Sequence, residues 1–92
     1  MNTVKNLKGT GNLTCSCGSW IKHWEKFTSK KAKLCTATGC LSPATIGGHV
    51  IKCNSTDKDH YIIPLCHSCN MRIDIYNTTA ILAPANVQDT CG

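Results

Sequence analysis

Two close cysteine pairs constrain this chain more than any other feature. Cys35 and Cys40 enclose Thr-Ala-Thr-Gly, Cys66 and Cys69 enclose His-Ser, and 25 residues lie between the pairs. Thiolates are soft, charged donors, and four of them spaced as two near-neighbour pairs suit a single tetrahedral ion. Gly39, just before the second cysteine, lets the backbone turn tightly enough for both sulfurs of the first pair to face that ion. The second pair needs a different device. Two intervening residues place both sulfurs on one side of a helix's first turn, where free N–H groups and the helix dipole favour thiolate. The expectation is one zinc ion held by Cys35, Cys40, Cys66 and Cys69. An iron–sulfur cluster would use the same four sulfurs. A redox pair would use only Cys66 and Cys69, and a disulfide framework would draw on all eight cysteines of the chain.

A staple of some kind is needed. With 92 residues and 5% aromatics the chain has little from which to build a core. Met1 to Thr14 lacks the apolar run of a signal peptide, and no stretch is long enough to cross a membrane. The expected setting is therefore a reducing, cytoplasmic interior in which cysteines serve metal, with no membrane partner. The formal charge of +5 counts every thiol as neutral. Four thiolates around a divalent ion sum to −4 + 2 = −2, so such a site lowers the excess, which then points only mildly toward DNA or RNA.

Residues 1–14 are polar, carry Gly9 and Gly11, and read as a loose arm before a single domain over 15–92. Cys15 and Cys17 are too close to bridge each other. With Cys91, and with His23 or Cys53 as fourth ligand, they form a second candidate site, which would bring the zinc count to two. A disulfide from this pair to Cys91, free thiols, and an exposed His23 are the plainer readings. Ser19 fits a helix N-cap, followed by an apolar stripe of Trp20, Trp24 and Phe27 widened by Ile21, with Lys22, Glu25 and Lys26 off it. Lys26, Lys30, Lys31 and Lys33 make a basic run, either a solvated loop or a phosphate-contacting edge.

Between the cysteine pairs, Ile46, Val50 and Ile51 are strand-like, and Gly47-Gly48 marks a bulge or a close backbone approach. Alternation puts His49, Ile51 and Cys53 on one face. A polar turn leads to a second strand over His60 to Leu65, completing a hairpin. Asn70 to Asn77 fits a helix through Met71 and Ile75, or a strand through Ile73, Ile75 and Tyr76; helix is chosen because the metal site calls for one there. Ala80 to Ala83, ended by Pro84, reads as a short late strand. The fold class expected is a small α+β zinc-binding domain. Its knuckle, hairpin and helix-borne pair make a treble-clef, ββα-metal-like finger, with an additional N-terminal helix.

The segment from Cys35 to Asn70 resembles the zinc-stabilised HNH, or ββα-metal, endonuclease family, within an HNH-like core over 35–77. Ile63-Pro64-Leu65-Cys66, Cys69 and Asn70 match the closing part of that family's pattern, and Gly48-His49-Val50 occupies the place of its Asp-His strand. The resemblance implies that His49 would be the general base activating a water, with Mg2+ or Mn2+ stabilising the charge on phosphate. It also exposes departures. Gly48 replaces the metal-binding Asp and Tyr61, beside His60, replaces the orienting Asn, while Asn70 replaces the terminal His. A catalytic cation would then need Asp57 or Asp59 from the hairpin loop. Two functions follow: an inactive HNH-like module contacting nucleic acid or a protein partner, or a nuclease with a divergent site using His49 with His60 or His67. A third role for His49 is structural, donating a hydrogen bond to a cysteine sulfur beside the zinc.

Overall fold

The computed structural model describes residues 2–7, 19–53, 56 and 59–85. Strand β2 (Ile46–Lys52) and strand β3 (His60–Leu65) form the hairpin, with His49 opposite Ile62 and Gly48 opposite Ile63. Strand β1 (Asn2–Asn6) lies antiparallel along the free edge of β2. Strand β4 (Ile75–Thr78) pairs with the far side of β1, and the two-residue β5 (Ala83–Pro84) pairs with β3. The sheet order is β4-β1-β2-β3-β5.

Each face of this sheet carries its own small core. On one face, helix α1 (Trp20–Thr28) packs on β2, β3 and β5 and closes a cluster of Trp24, Ile62 and Ala83. Ser19 caps the helix through its side chain, which accepts from the Lys22 N–H, as its residue type predicts. The Trp24 indole N–H donates to the Ile81 carbonyl, so this aromatic is buried with its polar handle satisfied. The glycine pair is explained here. A Cβ on Gly47 would lie 2.4 Å from the Ile21 nitrogen and the Trp20 carbonyl carbon, so helix backbone sits directly on strand backbone. On the opposite face Val4, Val50, Ile63, Leu65 and Tyr76 pack with Ala37 and with Cys35, Cys66 and Cys69. The cysteines are thus part of the second core.

Three expectations change. The loose arm does not hold for residues 2–6, which form an inner strand paired on both sides. Its partners are remote in sequence, so nothing local announces the pairing. The helix expected over 70–77 is also corrected: helix α2 spans only His67–Asn70 and ends at Met71. Ile75 to Thr78 instead alternate exposed and buried as a strand, because β1 offers an edge for them to pair with. Finally, Phe27 continues the apolar stripe of α1 but is left 46% exposed.

Candidate metal centre

The knuckle is a tight reversal tied at its base. The Cys35 N–H donates to the Ser42 carbonyl, the Cys40 N–H to the Ala37 carbonyl, and Leu34 bridges Pro43. Gly39 takes φ +86°, the left-handed conformation that the turn requires of it. Thr36 anchors this loop to the sheet: its N–H and Oγ1 both donate to the Pro64 carbonyl, and its own carbonyl accepts from Thr78 Oγ1. Pro64 lies two residues before Cys66, so the same contact sets the knuckle against the second pair. Cys66 is the N-cap of α2 and Cys69 lies within it.

The sulfurs of Cys35, Cys40, Cys66 and Cys69 all lie within 4.8 Å of one another. Sulfurs 2.3 Å from a tetrahedral ion are about 3.8 Å apart, and the Cys40 and Cys66 sulfurs are separated by 3.8 Å. A disulfide requires about 2.05 Å, and these four cysteines are free thiols. Backbone N–H groups of Cys66 and Ala37 point at the Cys35 sulfur, and that of Ser42 at the Cys40 sulfur. Such N–H groups stabilise thiolate charge. The Ser42 contact pulls the partly exposed Cys40 thiol down to about 7. Burial dominates at Cys35 and Cys69: it raises the first and pushes the second up to about 12. Sulfurs buried this deeply carry charge only beside a cation, so the donor set and its spacing fit a thiophilic ion.

The second candidate site does not assemble among the described residues. Cys15, Cys17 and Cys91 lie outside them. His23 is neither exposed nor available as a ligand through Nε2: it is fully buried on the inner face of α1, with Nε2 2.7 Å from the Pro84 carbonyl. Cys53, just past β2, is half-buried and free.

His49 occupies a different place from any of its expected roles. It faces α1, with its ring edge-on to Trp20 at 4.5 Å between centroids. The sheet separates it from the cysteines, so it gives no hydrogen bond to their sulfurs. It is 6% exposed, and its Nε2 is buried without a partner. Burial, and then the charges of His60 and His23, lower its pKa to about 4. Gly48 faces the other way, where a Cβ would lie 2.5 Å from Leu65 Cδ1 and 2.8 Å from Asn70 Oδ1. Positions 48 and 70 are therefore neighbours, but no carboxylate stands there. Asp57 lies outside the described residues. Asp59 precedes β3 by one position, four residues from Ile63, the partner of Gly48. At about 3.3 Å per residue that is roughly 13 Å along the strand. His60 and His67 are exposed and do not converge with His49 on a common site.

Lys26, Lys30, Lys31 and Lys33 are all exposed, as is Lys22 one turn before Lys26. Glu25, the acid within this run, turns its carboxylate onto the Ala32 N–H. No helix among the described residues is long and apolar enough to cross a membrane. No family model matches the chain, and no curated protein or solved structure shows significant similarity to it.

Proposed function

We propose that this chain is a zinc-stabilised, HNH-like binding module that contacts nucleic acid through its lysine surface and does not cleave it. The observation that carries the reading is the four-sulfur cluster, drawn from a tight turn before a hairpin and from a helix start after it. Zinc is the ion that a closed, four-thiolate tetrahedral site suits best, and a closed site is structural rather than catalytic. The nuclease alternative needs an accessible base and a carboxylate-bound cation. His49 is shut beneath α1, and a group titrating near 4 is a poor base at neutral pH. Gly48 offers no ligand, and Leu65 fills the space a carboxylate would need.

The nucleic-acid part rests on the exposed lysines at 22, 26, 30, 31 and 33. Each phosphate contact adds a salt dependence of about −0.9 in the log–log slope on duplex DNA, or about −0.7 on single strands. The test is fluorescence anisotropy with labelled duplex and single-stranded oligonucleotides across a salt series. Binding at low salt that weakens in Lys30→Glu/Lys31→Glu is expected; no binding to DNA or RNA at low salt overturns the nucleic-acid assignment in favour of a protein partner. Nicking of plasmid DNA with Mg2+ or Mn2+, abolished by His49→Ala, would overturn the inactive reading.

A further inference from the structure

We infer that Asn6, with Tyr76 and Arg72, forms an outer layer of the metal centre that holds Cys69 in position. Metal affinity would then depend on a residue in the N-terminal strand, 63 positions away. The inference rests on reading the four-cysteine cluster as a metal site.

Asn6 lies on the same face of β1 as Val4, which packs with the cysteines. Its side-chain amide donates to the Cys69 carbonyl at 2.8 Å and to the Arg72 carbonyl at 3.1 Å. Its Oδ1 accepts from the Tyr76 hydroxyl. The Arg72 guanidinium lies 4.7 Å from the Tyr76 ring centroid and is paired with Asp74. The network thus grips the Cys69 turn by its backbone.

The local sequence cannot supply this grip. Helix α2 has four residues, and its closing bonds are long: the Met71 N–H reaches the His67 and Ser68 carbonyls, and the Arg72 N–H the Cys69 carbonyl, each at 3.2 Å. Truncating Asn6 removes the side-chain donor from the Arg72 carbonyl and the acceptor from the Tyr76 hydroxyl, and it leaves the Cys69 carbonyl with only the 3.2 Å bond from the Arg72 N–H. Groups that orient ligands in this way typically contribute a factor of about 10–100 to metal affinity. By linkage, metal binding tightens β1 by the same factor. Arg72 contributes through its carbonyl, which shares the Asn6 amide with Cys69, and through its guanidinium, which covers the Tyr76 ring.

The experiment uses the full chain, zinc-loaded, and follows zinc transfer to a chromophoric chelator, with tryptophan fluorescence as the check that each variant is folded. Thr3→Val is the control, because Thr3 Oγ1 also ties β1 to β4, through Asn77, at an exposed position. Asn6→Ala is expected to weaken zinc binding about 10–100-fold, Tyr76→Phe to weaken it less, and Thr3→Val to leave it unchanged. Absorption bands of the cobalt-substituted protein report sulfur geometry, and they should shift in Asn6→Ala but not in Thr3→Val. Parental affinity and bands in Asn6→Ala would overturn the inference while leaving the metal site standing. If Asn6→Ala does not fold with zinc, parental affinity in Tyr76→Phe overturns it. A parent protein that binds no divalent metal overturns the metal site and the inference together.

Discussion

The burial of His49 makes a pH dependence that can be worked out in advance. In the folded chain its imidazole titrates near 4, against 6.5 for an ordinary histidine, because burial and then His60 and His23 disfavour the cation. His60 comes from β3 and His23 from α1, and the His49 ring also meets the edge of Trp20. Above pH 6.5 both folded and unfolded chains hold His49 neutral, so the contribution is fully present. As pH falls from 6.5 toward 4 the unfolded chain takes up a proton that the folded chain refuses, and stability declines. At about 1.4 kcal/mol per pKa unit, the full loss is about 3 kcal/mol, complete only once the pH is below about 4. That is a large share of the roughly 5–15 kcal/mol that holds a domain together. The assay is urea unfolding of the zinc-loaded parent and of His49→Leu at pH 7, 6 and 5. Acid also protonates the metal-binding thiolates, but that loss is common to both proteins and cancels in their difference. The parent should lose about 2 kcal/mol relative to the variant between pH 6.5 and 5. A difference that stays flat over this range would refute the argument that the imidazole is confined in its neutral form.

Metal removal should matter most. Excess chelator at neutral pH is expected to unfold the domain, since the sulfurs belong to its core, and circular dichroism with and without added zinc would show this. Native mass spectrometry should find an ion lost in Cys35→Ser and in Cys69→Ser; a second ion retained in both would bring Cys15, Cys17 and Cys91 into play. Gly47→Ala drives a methyl into the helix backbone, and overpacking of this kind costs about 1–3 kcal/mol. For a domain of this size each kcal/mol lowers Tm by about 4–8 °C, so an unchanged melting curve would contradict the helix-on-strand contact. Gly48→Asp introduces the residue that an HNH nuclease carries at the proposed equivalent position, yet it meets Leu65 and Asn70. It should destabilise the chain without creating plasmid nicking in Mg2+, and nicking by this variant would show that the site is one substitution from activity.

The legible parts of this protein were those that local chemistry dictates. Ser19 as a cap, Gly39 as the left-handed residue of the knuckle, and Gly47 as a point of close approach could be read from residue type and position. The candidate metal site was legible because two short loops of fixed length carry its ligands. Asn6, Arg72 and Tyr76 gave no such signal. Their roles depend on β1 lying between β2 and β4, and an asparagine in a polar N-terminal stretch looks like any other.

Sequence by itself thus determined which four sulfurs come together, since each pair is bound by a turn of a few residues and the hairpin between them returns the chain. Tertiary structure decided everything that depends on which face of the sheet a side chain enters. It sent His49 under α1, away from the cysteines, and left it buried with an unpartnered nitrogen. It also made a strand of residues 75–78, which local preference left open between helix and strand. The physical reason is the same in both cases. Alternation fixes only relative facing along a strand, whereas burial and pairing are set by whatever distant segment, here α1 or β1, packs against it.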